Sequence, residues 1–111
     1  AAEDGHYDVV LYQNSDGSSK IITDVNSANA FFTFVQDKDG NWYYMDQTDT
    51  DLELYRLNSS FEDKKKIDTI SLEEIPCDME NCMMALVNNR IFFYTMPSWS
   101  ESEVLYRYNL Y

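Results

Sequence analysis

Polar and apolar residues alternate in short runs along most of the chain, and turn-forming residues separate the runs. Alternation with a period of two is typical of β-strands, because successive side chains of a strand point to opposite faces. Two runs, at residues 30–35 and 82–87, are almost wholly apolar and predict strands that are buried on both faces. The pattern predicts about nine short strands, at residues 6–13, 20–25, 30–35, 41–46, 52–58, 67–72, 82–87, 90–95 and 104–110.

Turn signals indicate how these strands are connected. Gly17 and Gly40 each follow an Asp and predict hairpin turns, because glycine adopts a positive φ without steric cost. The two consecutive Asn at residues 88–89 predict a third tight turn, since Asn also adopts left-handed conformations. Residues 59–66 are predicted to be a surface connection. Short strands joined by tight turns predict an all-β fold arranged as an antiparallel meander.

The strand pattern repeats along the chain. Leu11, Leu54 and Leu105 each mark the third strand of a unit, and they are 43 and 51 residues apart. A period in this range with four short strands per unit is typical of a propeller blade. The segments that align are 30–35 with 82–87, 42–45 with 91–94, and 54–58 with 105–109.

Three of these segments, NWYYMD at residues 41–46, LYRLN at 54–58 and KKI at 65–67, resemble a blade of the six-bladed propellers of the low-density-lipoprotein-receptor and TolB type. In that family a Tyr-rich strand precedes a Leu-Tyr-Arg strand and a Lys-led outer strand. The resemblance implies a single all-β unit over residues 1–111 that consists of blade-like repeats. Its parts are a partial blade at 6–25, a blade at 30–72 and a partial blade at 82–111.

About two and a quarter blades cannot close a ring, and an unclosed blade exposes unpaired backbone and an apolar face. The sequence leaves three outcomes open. The chain self-associates, or it docks on the rest of a larger protein. Alternatively, the strands fold back into a compact β-sandwich or a small barrel.

Composition narrows the classes of partner. The chain has 20 acidic and 8 basic residues and a net charge of -12, which disfavours direct nucleic-acid binding, because phosphates are bound by Lys and Arg. The same acidity favours solubility and attraction to basic partners. No apolar run approaches the ~20 residues of a membrane helix, so membrane insertion is not expected. The Ala1-Ala2 start is typical of signal cleavage or of an engineered end, and we expect an extracytoplasmic or secreted location.

Residue types that carry catalysis are scarce. His6 is the only histidine, and no Gly-x-Ser-x-Gly elbow is present. Three glycines are too few for a phosphate-binding loop, so no nucleotide cofactor is predicted. The acidic pattern that begins at Asp37 fails as an EF-hand, because Gly40 is the fourth loop position rather than the sixth. The sequence therefore predicts a non-enzymatic protein without a metal site.

Cys77 and Cys82 are the two cysteines. They are too few for a structural zinc site, and their spacing differs from Cys-x-x-Cys. A local disulfide and two free thiols both remain open, since spacing alone does not separate them. Asn58 begins the sequon Asn-Ser-Ser, which predicts glycosylation only in a eukaryotic secretory route.

Four loop residues are candidates for binding contacts. Trp99 is the strongest, because it lies among Ser and Glu in a loop where nothing predicts burial. Glu101 shares that loop, and Asp49 and Asp51 lie in the loop after the fourth strand. The leading function is a non-enzymatic binding or assembly module that contacts a protein partner or a second copy of itself. The alternatives are a glycan-binding module that uses Trp99 and loop carboxylates, and an acidic inhibitor or decoy of a basic partner.

Overall fold

The computed structural model describes residues 6–12, 15–74, 82–95 and 104–110, and within them the predicted all-β fold is confirmed. One short 3₁₀ helix, Ala28–Thr33, interrupts the strands. The strands are β1 Tyr7–Tyr12, β2 Ser19–Val25, β3 Val35–Gln36, β4 Trp42–Gln47, β5 Asp51–Leu57, β6 Lys64–Ser71, β7 Cys82–Val87, β8 Arg90–Thr95 and β9 Val104–Asn109.

The strands form three antiparallel sheets in chain order. The first sheet contains β1 and β2, the central sheet contains β3 to β6, and the third sheet contains β7 to β9. Within each sheet every strand pairs with its neighbours in the sequence, so each sheet is a meander. Gly17, Gly40 and Asn88 have φ values of 73°, 89° and 51°, as the predicted hairpin turns require.

The central sheet lies between the other two. On one of its faces the Tyr44 hydroxyl lies 3.0 Å from the Thr23 hydroxyl of β2, and the two groups share a hydrogen bond. On the other side the Tyr106 hydroxyl of β9 donates to the Asp68 carboxylate of β6. Because both faces are covered, four consecutive β4 residues, 43–46, are buried. The central sheet therefore supplies most of the hydrophobic core, in which Tyr44, Met45, Leu52 and Leu54 are fully buried.

The strand predicted at residues 30–35 is wrong, because the 3₁₀ helix replaces most of it and β3 retains only two residues. The Ser27 hydroxyl caps the helix by accepting from the Asn29 amide at 3.2 Å. Thr33 then bonds directly to β4, since its hydroxyl accepts from the Met45 amide at 2.8 Å. The apolar run is not buried on both faces, because Phe31 and Phe32 are exposed.

Residues 59–66 are not wholly a surface connection, because β6 begins at Lys64 and not at Ile67 as predicted. Residues 64–66 pair with β5, and two of their ammonium groups contact β5 side chains. The Lys64 Nζ lies 4.7 Å from the Tyr55 ring, and the Lys66 Nζ lies 3.1 Å from a Glu53 carboxylate oxygen. The register shifts beside Ile67, where a β-bulge interrupts the pairing with β5. No helix in the described ranges is long and apolar enough to cross a membrane.

Candidate functional site

A polar depression opens at the end of the central sheet, where the loop after β2 meets the loop between β4 and β5. We call it the junction cleft. Its volume is about 640 Å³, which lies within the ~300–1,000 Å³ that is typical of small-molecule sites. The side chains that matter for its chemistry are those of Tyr7, Asn26, Asn29, Gln47, Thr48 and Asp49.

One wall of the junction cleft is held by a buried carboxylate. Asp46, at the end of β4, is only 3% exposed. Its carboxylate accepts from the backbone amides of Asn26 at 2.8 Å and Ser27 at 3.0 Å, and from that of Gln47 at 2.8 Å. Hydrogen bonds to an ionised acceptor are stronger than neutral ones, so Asp46 fixes the loop after β2 against the central sheet.

The other wall is a turn that is closed by its own residues. The Thr48 amide donates to the Asp51 carbonyl at 2.8 Å, and the Thr48 hydroxyl accepts from the Asp51 amide at 3.0 Å. Asp49 lies at the exposed tip of this turn. Both loops are therefore ordered by hydrogen bonds that do not involve several of the side chains lining the cleft.

Several polar side chains that line the junction cleft are uncommitted, meaning that they have no hydrogen-bond or ion-pair partner among the described residues. Among the described residues, no hydrogen bond or ion pair engages the side-chain amides of Asn26, Asn29 or Gln47, the Asp49 carboxylate, or the Tyr7 hydroxyl. All five line the same cleft. The cleft thus offers hydrogen-bonding groups that the fold itself does not use.

The opposite end of the central sheet differs. There the Asp37 carboxylate accepts from the amides of Asp39 and Asn41, both at 2.9 Å, and from the Tyr43 hydroxyl at 3.0 Å. Burial by itself would raise the pKa of Asp37, but these hydrogen bonds outweigh it and hold the pKa below its usual range. The acidic segment that begins at Asp37 therefore builds a turn, and the Asp37 carboxylate is committed to that turn.

Three tyrosine hydroxyls are held inside the sheets. Burial raises the pKa of Tyr44, and it does so although the hydrogen bond to Thr23 acts in the opposite direction. Burial also raises the pKa of Tyr55 and Tyr106, helped by hydrogen bonds to Glu53 and Asp68, respectively. These hydroxyls stay protonated at neutral pH. Those of Tyr55 and Tyr106 donate to carboxylates, whereas that of Tyr44 shares a hydrogen bond with the Thr23 hydroxyl.

Each of the two outer sheets also exposes a surface that is separate from the junction cleft. On the first sheet Val10, Tyr12 and Ile21 are exposed by 43%, 70% and 60%, respectively. On the third sheet the alternate positions of β8 that do not enter the core include Arg90 and Phe92, and Phe92 pairs with Arg107 of β9. We call these two surfaces the first-sheet face and the third-sheet face.

The structure separates the residues that the sequence singled out. Asp49 lies at the junction cleft, whereas the Asp51 carboxylate accepts from the Thr50 hydroxyl at 2.9 Å. Both also line a smaller depression of about 320 Å³ beside Ser71 and Glu73. Trp99 and Glu101 lie outside the described residues.

The structure does not test the predictions made for the two cysteines and for the glycosylation sequon. Cys82 is buried in β7, and Cys77 lies outside the described residues, so neither the disulfide nor the thiol alternative is tested. The Asn58 side-chain oxygen accepts from the Glu62 amide at 2.9 Å and so helps to close the β5–β6 turn. His6 lies beside β2, with its Nδ1 3.6 Å from the Asp24 carboxylate.

Sequence reasoning missed most of the junction cleft. It gave no role to residues 26–29 or to Asp46. A usable signal exists at Ser27, because Ser is a preferred residue at a helix N-cap. No signal indicates that Asp46, twenty positions further along the chain, holds this loop.

Within the described ranges no group of three or more His, Cys, Asp or Glu is placed to hold a metal ion. Comparison of the chain with protein-family models, curated proteins and solved structures found no match. Function is therefore inferred from the surfaces described above.

Proposed function

We propose that the protein is a non-enzymatic binding and assembly module whose copies associate head to tail, the third-sheet face of one copy against the first-sheet face of the next. The observation that carries the proposal is the complementary character of these two faces. Its non-enzymatic part rests on the sequence, which has a single histidine and no nucleophile motif.

Apolar exposure supports the contact. Val10, Tyr12 and Ile21 lie on one two-stranded sheet, and Val87 and Val104 are 52% and 42% exposed on the third sheet. Scattered apolar residues on a surface are ordinary, but a group on one sheet is typical of an interaction surface. Tyr12, at 70% exposure, is also of the residue type enriched at interface cores.

Charge supports the direction of the contact. The third-sheet face carries Arg90 and Arg107, and the strands β7 to β9 contain no acidic residue. The first-sheet face carries the exposed Asp8 beside Val10. In a chain with a net charge of -12, a sheet whose only charges are two arginines attracts acidic surfaces, including that of a second copy.

The number of strands in each sheet is consistent with the blade-like repeat expected from the sequence. The sheets have two, four and three strands in chain order, which is the order expected for a partial blade, a blade and a partial blade. The central sheet is covered on both faces, as a blade inside a propeller would be. Stacking the third sheet of one copy on the first sheet of the next would extend the same arrangement. Such a heterologous contact closes into a ring or continues as a filament.

Sedimentation velocity on charge-reversed variants tests the proposal. Arg107→Glu and Asp8→Arg should each weaken self-association, because each places like charges across the contact. The double variant should regain part of the lost association. Lys38→Glu is the matched control, since Lys38 is exposed in the β3–β4 turn, away from both faces, and it should leave association unchanged.

Two results would count against head-to-tail assembly. One is a sedimentation coefficient that stays at the monomer value for the unmodified protein at every concentration. The other is an equal loss of association in Lys38→Glu and Arg107→Glu, which would reduce the effect to net charge alone.

A further inference from the structure

We propose that the junction cleft is a binding site for an uncharged saccharide. This inference does not rest on the assembly proposal, because the cleft lies where the first and central sheets of one copy meet. It rests on three properties of the cleft: ordered walls, uncommitted polar side chains, and the lack of a positive charge among the described residues that line it.

The walls are fixed before any ligand arrives. Asp46 holds the backbone of Asn26 and Ser27, and the turn at Thr48 is closed by two bonds to Asp51. A site whose backbone is already ordered loses less conformational entropy when it binds. The cleft can therefore gain useful affinity from a small number of hydrogen bonds.

The uncommitted groups match the chemistry of sugar hydroxyls. Each hydroxyl of a saccharide both donates and accepts, and a carboxamide offers one acceptor and two donor hydrogens in a plane. Asn26, Asn29 and Gln47 supply three such carboxamides, and Asp49 adds an acceptor carboxylate. Adjacent sugar hydroxyls can bond one carboxamide or carboxylate at two points. This donor and acceptor mixture suits a polyhydroxylated ligand better than an apolar one.

Tyr7 supplies the apolar contact that a sugar ring also needs. Its side chain lines the cleft and is half-buried. The ring of tyrosine has an apolar face and a polar hydroxyl, so it can contact the C–H face of a pyranose and still donate a hydrogen bond. In the part of the chain that the structure describes, no large aliphatic side chain lines the cleft to anchor an apolar ligand.

The negative charge at the cleft disfavours anions, and its carboxylates are not arranged as a metal site. Among the described residues no Lys, Arg or His lines the cleft, and the Asp49 carboxylate is exposed there while that of Asp46 lies behind one wall. Phosphate, sulfate and sialic acid would be repelled. A metal ion would need further ligands, because Asp46 is already bonded to three backbone amides. Neutral saccharides remain, and about 640 Å³ accommodates a short one.

Nitrogen–proton correlation spectra of the intact chain test this directly, because the side-chain NH₂ groups of Asn and Gln give their own signals. The neutral probes are methyl α-mannoside, methyl β-galactoside, N-acetylglucosamine and lactose, and the anionic probes are inorganic phosphate and galactose 6-sulfate. At least one neutral probe should shift the side-chain signals of Asn26, Asn29 and Gln47 and reach saturation. The anionic probes should shift them less.

Variants then connect binding to the cleft. Gln47→Ala should weaken the binding of the active probe about 10-fold, since it removes hydrogen bonds that are desolvated in the complex. Asp49→Asn keeps the side-chain shape and should weaken it about 3-fold. Gln36→Ala is the matched control, because Gln36 is an exposed amide at the other end of the sheet, and it should bind like the unmodified protein.

Three outcomes would overturn the proposal. The first is that no neutral probe gives saturable shifts at these side chains. The second is that an anionic probe binds more tightly than every neutral one. The third is that Gln47→Ala and Asn29→Ala, with backbone spectra unchanged elsewhere, bind as well as Gln36→Ala. The mass measurements of assembly do not enter any of them, so the two proposals fail independently.

Discussion

The central sheet and the first sheet are built from similar hairpins but differ in how far their faces are buried and their edge strands protected. In the central sheet Tyr44 and Leu54 are fully buried, and the outer strand β6 begins with Lys64 and two further lysines and carries a bulge. Charged residues and bulges on an edge strand prevent pairing with another chain. The central sheet is therefore complete.

The first sheet is protected less strongly, although the β1–β2 pairing also shifts register between Val9 and Val10. Its strand β1 has no lysine and no proline, and it presents Val10 and Tyr12 on the side away from the core. Within the described part of the chain, β1 pairs only with β2, so one row of its backbone groups has no strand opposite it. The contrast supports the proposal that the central sheet stabilises the molecule and the first sheet contacts further copies. Substitutions in the two regions should consequently change different measurements.

The largest expected effect on stability compares Leu54 with Ile21. Leu54→Ala removes a fully buried side chain and should lower the free energy of unfolding by about 2–5 kcal/mol. Ile21→Ala, at a position that is 60% exposed, should change it by no more than about 0.5 kcal/mol. Urea unfolding at low protein concentration measures both. Equal losses would show that the first sheet contributes to the core as much as the central one.

The next effect compares the two carboxylates at the ends of the central sheet. Asp46→Ala leaves three backbone amides without their acceptor and should cost about 2–4 kcal/mol. Asp37→Ala affects a partly exposed turn and should cost about 1–2 kcal/mol. Amide hydrogen exchange should locate the first change in residues 26–29 and the second in residues 37–41. A reversed order would mean that the loop after β2 is held by something other than Asp46.

The smallest effect appears only at alkaline pH. Because burial raises the pKa of Tyr44 above the ~10 of an unfolded chain, its contribution is fully present below pH ~10 and is lost as pH rises toward the folded value. The loss for this one tyrosine is at most about 1.4 kcal/mol per pH unit. Tyr44→Phe should reduce the slope of unfolding free energy against pH between about 10 and 11. An unchanged slope would mean that Tyr44 ionises equally in both states.

Most of the fold could be predicted from local patterns in the sequence. The alternation in β5 and the glycine turn before β4 depend on neighbouring residues, and the sequence expresses both directly. The 3₁₀ helix could not be told from a strand, because an apolar run such as Ala-Phe-Phe is compatible with either. What decides is the hydrogen bond between Thr33 and the Met45 amide, which joins residues twelve positions apart.

The junction cleft was harder to predict from the sequence than the fold. Asp49 was recognised because an acidic residue in a loop stands out by itself. Asn26 and Gln47 were not, since they become neighbours only when Asp46 fixes the loop after β2 on the end of β4. A site that two distant loops form leaves no periodic pattern in the chain.

The central claim is that the complete central sheet stabilises the molecule while the two outer faces join it to further copies. The most direct test is the mass of the unmodified protein, measured by light scattering over a range of concentrations. The account predicts a mass that rises above the 13.1 kDa of one chain as concentration increases and falls again on dilution. A mass that stays at one chain throughout would contradict it.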